Sequence, residues 1–503
     1  MNKLLLTALL LTLGFRTFAQ AQGFLSFYED EDFTSWETYD AIETECGDYL
    51  IAVNDWDIPQ WKSKILKLSG NGDFCEEMVL EATDTTMCLG QMFASRHNPK
   101  IFVGFALCNH LTEAPTLMTI QFDEDLNVIH RKVVAMPSFG DRVSDIKFLS
   151  LENEYIAAAT YREMLGIDFV LYKISENGDI LQFATCEADS LSYISNLFNI
   201  HNRPDCFGMY ICATNSSNAS TGVILFDETL QIYKRTFYGS WITEEYGNHQ
   251  CLSYLQGYNG MCTPIPDGNY LISSRINESL IVQPFEDDQS AIFVKADTNF
   301  MLMPNRQVIG HLNDTMEQPA YFKSVGCTSD AIYQCSLQNV YPELWPWQHS
   351  GLNLVVTKTD FELNIIWQKR LLTDGNVYSP YNLIATSDGG CLITGTRFDQ
   401  NTDRHLDVFA LKLDAEGLCS TFELETVDAV SVYPNPTFRR FTISADDLKC
   451  AEVYNAVGQI VAKRQSENKT DISIDLNGLP AGIYSVKVSD TFGKTSVRKV
   501  IKE

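Results

Sequence analysis

The pentapeptide Trp345-Pro346-Trp347-Gln348-His349 is the sharpest candidate for recognition chemistry in the chain. Two indole faces beside an amide and an imidazole suit stacking on a sugar ring or an aromatic ligand. Trp56, Trp61, Trp241 and His249 have the same character, and with Trp345, Trp347 and His349 they form the candidate ligand-binding set. The competing role for the two indoles is structural, as a plug over a channel or as packing on a neighbouring element, because an uncovered Trp is costly. For catalysis, Asp55-Trp56-Asp57, Glu244-Glu245, Asp399 and Asp403 could supply the acid and base of glycoside cleavage. With 65 acidic residues in the chain, such pairs also arise by chance on a solvated surface. His249, His349 and His405 stand far apart in sequence, and histidines on loops are more often surface residues than ligands. No G-x-S-x-G, H-E-x-x-H, P-loop, dinucleotide G-x-G-x-x-G or C-x-x-C occurs. No catalytic residue is therefore assigned, and neither a metal nor a cofactor is expected.

What positions these residues is a repeat. Similar lines recur seven times, among them "SKILKLSGNGDF", "LMTIQFDEDLNVI", "FVLYKISENGDIL", "AIFVKADTNFML" and "VFALKLDAEGLC". Their central positions are Leu68, Phe122, Ile174, Phe226, Ala296, Thr359 and Leu413, spaced by 54, 52, 52, 70, 63 and 54 residues. A second apolar line such as "GDYLIAV" or "NYLISSR" precedes each. Each unit reads as strand, tight turn, strand, longer loop, strand, Asn/Asp/Gly turn, strand. Four antiparallel strands per repeat at this period predict an all-β fold with a seven-bladed β-propeller over residues 22–425. Separate β-sandwiches in a row are the alternative, but they would leave edges that a closed ring hides.

In such a blade, the loop between strands two and three shares a face with the loop leading to the next blade. That face collects Trp56, Trp61, Trp241, Trp345 and Trp347, with Trp36 nearby, and His110, His249, His311, His349 and His405. The opposite face has short Gly/Asn/Asp turns. Variable loops on one face of a fixed scaffold are the usual form of a binding surface. Two functions follow: a binding module for a glycan or peptide, or an extracellular glycan-cleaving hydrolase or lyase.

Composition narrows the partners. The chain has 503 residues, 45% of them hydrophobic, and a net charge of −28. Residues 1–21 carry +2, and residues 428–503 carry 11 Lys/Arg against 9 Asp/Glu, which leaves −32 between them. So acidic a surface excludes nucleic acid as a partner, since phosphate needs a basic footprint. The 14 cysteines permit a few disulfides, but Cys212, Cys335 and Cys391 sit in apolar strand patterns that suit small buried thiols.

The change of charge near Asp428 marks a domain boundary, and residues 426–503 read as a small β-sandwich. They contain Tyr433-Pro434-Asn435-Pro436, the strand Phe441-Thr442-Ile443, "AEVYNAVGQIVAK" around Gly458, "ISIDLNGLPAGIYSVKV" with Gly482 and Tyr484, and a basic end with Lys499. This segment resembles the C-terminal sorting domain of the type IX secretion system of Bacteroidetes, of immunoglobulin-like fold. Phe438-Arg439-Arg440 departs from the glycine often found there in the family. The two prolines are expected to hold an extended linker edge. The resemblance implies the secretion machinery as a partner and a secreted or surface-attached product.

Residues 1–21 agree with export. Lys3, an apolar run from Leu4 to Phe15, and Ala19 and Ala21 form a signal-peptide pattern, too short to span a bilayer. Asp84-Thr85-Thr86, Asp189-Ser190-Leu191 and Asp314-Thr315-Met316 resemble O-glycosylation sites of exported Bacteroidetes proteins and are expected in loops between blades.

Overall fold

A computed structural model describes residues 23–28, 36–55, 62–80, 85–110, 114–137, 142–152, 154–162, 169–186, 191–215, 218–238, 255–277, 289–309, 316–340, 353–372, 376–398, 406–419, 430–445, 448–455, 460–466, 470–490 and 495–503. The chain divides into two compact units, Met1–Ser420 and Thr421–Glu503.

In the first unit, four-stranded antiparallel sheets follow one another along the chain. Blade 1 runs Trp36–Glu43, Tyr49–Asp55, Ser63–Leu68 and Phe74–Leu80, and blades 2 to 5 repeat the order from Thr85, Arg142, Leu191 and Leu255. In blade 6 the inner strand is split into Met316–Pro319 and Val325–Cys327, and a single parallel pair, Gln289 with Met316, joins it to blade 5. Blade 7 takes Val377–Ala385, Cys391–Phe398 and Leu406–Leu413 from the end of the unit. Its fourth strand, Phe24–Tyr28, comes from the beginning and pairs with Leu406–Leu413 from Phe24–Lys412 to Tyr28–Val408. The ring of seven blades is thus closed by hydrogen bonds between the two ends of the unit.

Burial falls from the axis outwards. All seven residues of Tyr49–Asp55 and all six of Ser63–Leu68 are buried, because each blade is covered by a neighbour on both faces. This accounts for continuous apolar lines where a one-sided sheet would alternate. The outer strand Val128–Ala135 is mostly exposed. Rings fill the gaps between blades: Phe105 of blade 2 stacks on Phe148 of blade 3 with centroids 4.3 Å apart.

The repeated turn between the third and fourth strands has a simple logic. An acceptor opens it and caps two backbone N–H groups: Asp297 Oδ1 takes Asn299 N at 2.8 Å and Met301 N at 2.9 Å, and Asp360 does the same for Glu362 and Asn364. Hydrogen bonds hold two of these carboxyls below the usual range, from the Thr229 hydroxyl on Asp227 and from the Asn364 amide on Asp360. Three residues after the acceptor, the backbone turns left-handed and the ladder slips by one residue, the geometry of a three-residue hairpin loop ending in a bulge. Glycine fills that place at Gly72, where a Cβ would meet the Phe24 ring at 2.3 Å, and at Gly178, where it would meet Thr119. Leu126, Leu230, Phe300 and Leu363 fill it elsewhere, at positive φ. A left-handed residue with a Cβ costs about 1–2 kcal/mol. Full burial of an apolar side chain returns about 1.5–3 kcal/mol. Phe300 is fully buried, its ring 4.5 Å from Tyr270 and 5.9 Å from Phe198 of the preceding blade.

The lysine ahead of this turn fastens neighbouring blades. Lys295, 1% exposed, bonds Asp267 of its own blade at 2.8 Å and Glu362 of the next at 3.2 Å. Lys67 joins Asp48 and Asp125 in the same way, and Lys358 donates to the Ala415 carbonyl at 3.1 Å. The buried cations Lys295 and Lys67 are tolerable because each is paired with carboxylates. Cys335 and Cys391 are fully buried thiols, as their apolar surroundings predict.

The second unit is a two-sheet sandwich. One sheet orders Ser431–Tyr433, Arg440–Ser444 and Asp471–Asp475, and the other Ile460–Gln465, Leu448–Tyr454, Gly482–Asp490 and Thr495–Lys502. Its strands alternate, as Asp471–Asp475 shows, with Ile472 and Ile474 inward and their neighbours outward. Phe441, Val453, Tyr484, Val486 and Val500 share the core.

Candidate functional site

In blades 1 to 6 the first-to-second and third-to-fourth turns lie at one end, together with the first-to-second turn of blade 7, and the remaining connections at the other. Trp56, Trp61, Trp241, His249, Trp345, Trp347 and His349 belong to those other connections and lie outside the described residues, as do Asp57, Glu244, Glu245, Asp399, Asp403, His311 and His405. Their scaffold is described. Asp55, expected beside Asp57 in a loop, instead ends a strand and is 1% exposed, its N–H donating to the Lys62 carbonyl at 2.8 Å. Thr85 and Thr86, expected in a loop, open the inner strand of blade 2 opposite His110 and Asn109. Leu191 and Met316, which end the other two tripeptides, likewise begin inner strands. Among the described residues no group of three or more His, Cys, Asp or Glu side chains could hold a metal.

The seven inner strands surround a cavity of about 390 Å³, lined mainly by the halves of those strands nearest the short turns. Each inner strand is bulged, between Thr38 and Asp40, Leu89 and Met92, Val143 and Asp145, Ile194 and Asn196, Gln256 and Met261, Met316 and Gln318, and Pro380 and Asn382, and that of blade 4 shifts again between Asn199 and Ile200. A bulge leaves backbone groups without ladder partners. The polar side chain at the bulge serves the next blade: Asp40 Oδ2 accepts Met92 N at 2.9 Å and Gln91 Oε1 accepts Phe148 N at 2.5 Å. Asn196 accepts Cys262 N at 3.0 Å and donates to the Cys262 carbonyl at 2.7 Å. Sequence reading missed this series, although an Asp, Gln or Asn in the middle of an apolar line was a visible signal in six of the seven repeats.

A cluster crosses the cavity. The Lys147 ammonium of blade 3 donates to the Tyr39 hydroxyl of blade 1 at 2.8 Å and pairs with Asp145 at 3.1 Å. It stands 4.8 Å from the centre of the Tyr39 ring and 4.9 Å from that of Phe322 of blade 6. The Tyr39 hydroxyl in turn donates to Asp145 at 2.9 Å. Burial pushes the Asp40 carboxyl above the usual carboxylate range, against the pull of Lys323, the Met92 N–H and Lys147.

In the second unit Asn435, Gly482 and Tyr484 are set against the last strand, which carries Lys499. The peptide bonds before Pro434 and Pro436 are both cis. This stretch is not the extended linker edge expected from the prolines, because it is hydrogen-bonded onto the domain it opens. Asn435 between them clips onto the C-terminal strand, donating to the Lys499 carbonyl at 2.7 Å and accepting Ile501 N at 2.9 Å. Thr437 continues the pairing by donating to Ile501 and accepting from Glu503. Tyr484 is buried and donates to the Pro480 carbonyl at 2.7 Å, Gly482 opens its strand, and Lys499 and Tyr433 are exposed. Gly458 lies outside the described residues. Arg439 and Arg440, the departure noted in the sequence, both pair with Asp475, at 3.2 and 3.1 Å.

Residues 431–503 match the family described as the secretion system C-terminal sorting domain. An ulvan lyase of Nonlabens ulvanivorans, NLR42, is 30% identical over 93 residues, which is 18% of this chain and 17% of that relative. Among solved structures, the extracellular domains 1–2 of Drosophila semaphorin 1a align with 89% of this chain and 97% of theirs, at 10% identity and a TM-score of 0.45. A Synechocystis apocarotenoid oxygenase mutant aligns with 70% of this chain and 93% of its own, at 9% identity and a TM-score of 0.39. At those scores the propeller rests on its own strand pairing and not on these neighbours. No helix among the described residues is long and apolar enough to cross a membrane. With the sorting domain matched over residues 431–503, the chain is a type IX-sorted protein, secreted or attached at the cell surface, whose sorting domain follows a seven-bladed propeller.

Proposed function

We propose that the propeller is a binding module for an extracellular glycan or peptide, with its ligand on the loop face. The observation that carries this reading is the asymmetry of the ring. One end is finished with short capped turns and paired lysines that fasten blade to blade. The other end carries the long connections with their tryptophans and histidines. A rigid ring holding aromatic loops in place recognises shape without needing reactive groups. The domain limits that accompany this reading are residues 22–425 for the propeller and 426–503 for the sorting domain.

A second reading, glycan cleavage by hydrolysis or elimination, draws on the similarity to an ulvan lyase, which spans 17% of that enzyme's length. Fold alone does not decide chemistry. A glycan and peptide array, with product analysis of every hit, separates the two. Binding without turnover, weakened at least about tenfold by Trp345→Ala or Trp347→Ala as expected for loss of an aromatic anchor, supports the module. Turnover abolished by Asp57→Asn or Glu245→Gln replaces it with the enzyme.

A further inference from the structure

We propose that the outer face of the four-stranded sheet in the sorting domain is the surface that the secretion machinery reads. Its partner there is a protein surface with an apolar centre edged by carboxylates. The inference rests on the match of residues 431–503 to the sorting-domain family, which gives the domain a role but no surface.

The argument starts from the two outer faces of the sandwich. Strand alternation turns Tyr454, Ile460, Ile483 and Ile501 away from the core that holds Val453, Tyr484, Val486 and Val500. Ile460 lies directly across from Tyr454, and Ile483 directly across from Ile501. Tyr454 pairs with Ser485, which places it diagonally from Ile483. Side chains directly or diagonally across are within reach of one another. The four therefore form one apolar strip over all four strands, with Ile460, Ile483 and Ile501 exposed by 54%, 52% and 39%. The smaller sheet is different. It turns Thr442, Ser444, Asp471 and Ser473 outward, with Tyr433 as its one large apolar side chain. Single exposed apolar residues are ordinary, whereas a contiguous strip marks an interaction site.

Charge sets the chemistry of the partner. Lys463, Lys487 and Lys499 are exposed on the same face as the strip. Glu452 is the one carboxylate among the described residues of that face, and it is engaged within the domain. Its Oε1 accepts from Lys463 at 2.6 Å and its Oε2 from the Tyr454 hydroxyl at 2.7 Å. The face is thus positive, in a chain whose net charge is −28. Carboxylates around an apolar centre match both features, and opposite charge steers the encounter and fixes its register.

The strand bearing Lys499 and Ile501 lies at the edge of its sheet and ends the chain, where strands fray unless tied down. Asn435 ties it, through the Lys499 carbonyl and the Ile501 N–H. Thr437 adds backbone bonds to Ile501 and Glu503, and the Lys502 ammonium donates to the Leu476 carbonyl at 2.9 Å and to that of Leu479. The surface is therefore presented on a fixed backbone.

The test is export of the full chain from a host carrying the type IX system, read as the ratio of exported to periplasmic protein. Deleting residues 431–503 should hold the chain in the periplasm; if it does not, the sorting role itself fails and the proposal with it. Ile483→Thr with Ile501→Thr keeps β-branched residues in both strands. That pair, and separately Lys487→Glu with Lys499→Glu, should each lower the ratio at least about tenfold, as loss of interface anchors does. Lys487→Arg with Lys499→Arg should keep most of the export, and Ser473→Glu on the smaller sheet should leave it unchanged. Thermal melting establishes that each sorting domain folds, and if the threonine pair does not, the glutamate and arginine pairs carry the test. Wild-type export by a folded threonine or glutamate pair, or an equal loss in Ser473→Glu, overturns the proposal. So does binding of the purified chain to phosphatidylglycerol vesicles that the same pairs abolish, since the face would then belong to a membrane.

Discussion

The propeller and the sorting domain solve the same problem, covering β-sheets, in opposite ways. In the sandwich each sheet has one partner, so strands alternate, as in Asp471–Asp475, and the core is self-contained. In the propeller each sheet lies between two others, so second and third strands such as Tyr49–Asp55 and Ser63–Leu68 are buried along their whole length. A blade cannot bury both faces alone, and its stability belongs to the ring. Side chains reflect the difference. Some propeller lysines are buried and reach across blades, as Lys295 and Lys67 do. The sandwich keeps its cations outside, with Arg439 and Arg440 more than half exposed around Asp475.

The comparison breaks most visibly at the ring's closure. Deleting residues 23–28 removes the strand that pairs with Leu406–Leu413 and uncovers the outer edge of blade 7. Calorimetry should show the propeller transition lowered by many degrees or lost, with the sorting-domain transition unmoved. A propeller transition within a degree or two of the wild type would mean that closure contributes little.

A smaller effect is expected from Phe300→Ala. It leaves a cavity between Tyr270 and Phe198 while keeping a non-glycine residue at positive φ. The loss should be about 3–5 kcal/mol, as for other buried Phe truncations. Phe300→Gly should recover about 1 kcal/mol of that by relieving the left-handed backbone. If alanine and glycine are equally tolerated in chemical denaturation, burial is not what sustains this turn.

The smallest effect is electrostatic and confined to the sorting domain. The side-chain bond from Arg439, with Asn477 N and Arg440, lowers the Asp475 carboxyl to about 2. A depressed folded value stabilises above the unfolded value of 3.8 and is lost as pH falls through the folded one. The sorting-domain transition should therefore weaken between pH 4 and about 2. In Asp475→Asn this part of the pH dependence should vanish, with the propeller transition unaffected. An unchanged acid profile in the variant would assign the effect elsewhere.

Much of this protein was legible before any coordinates. Apolar lines ending in an Asp or Ser with Gly, Leu or Phe three places on had to be strands and turns, since a capping side-chain oxygen and a left-handed residue three places on are local requirements. Seven such lines gave the blade number, and the motif from Tyr433 to Lys499 gave the export route. Other features depend on residues far apart in the chain. Nothing local indicates that Phe24–Tyr28 pairs with Leu406–Leu413. Nothing local shows that Asn435 clips to the final strand rather than marking a linker. Asp40, Gln91, Asn196 and Asn382 look alike in sequence, as polar residues in apolar strands. Only the approach of the next blade decides that the first three are satisfied through it while the Asn382 amide nitrogen is left buried without a partner among the described residues, because a hydrogen bond between blades depends on distance in space and not on spacing along the chain.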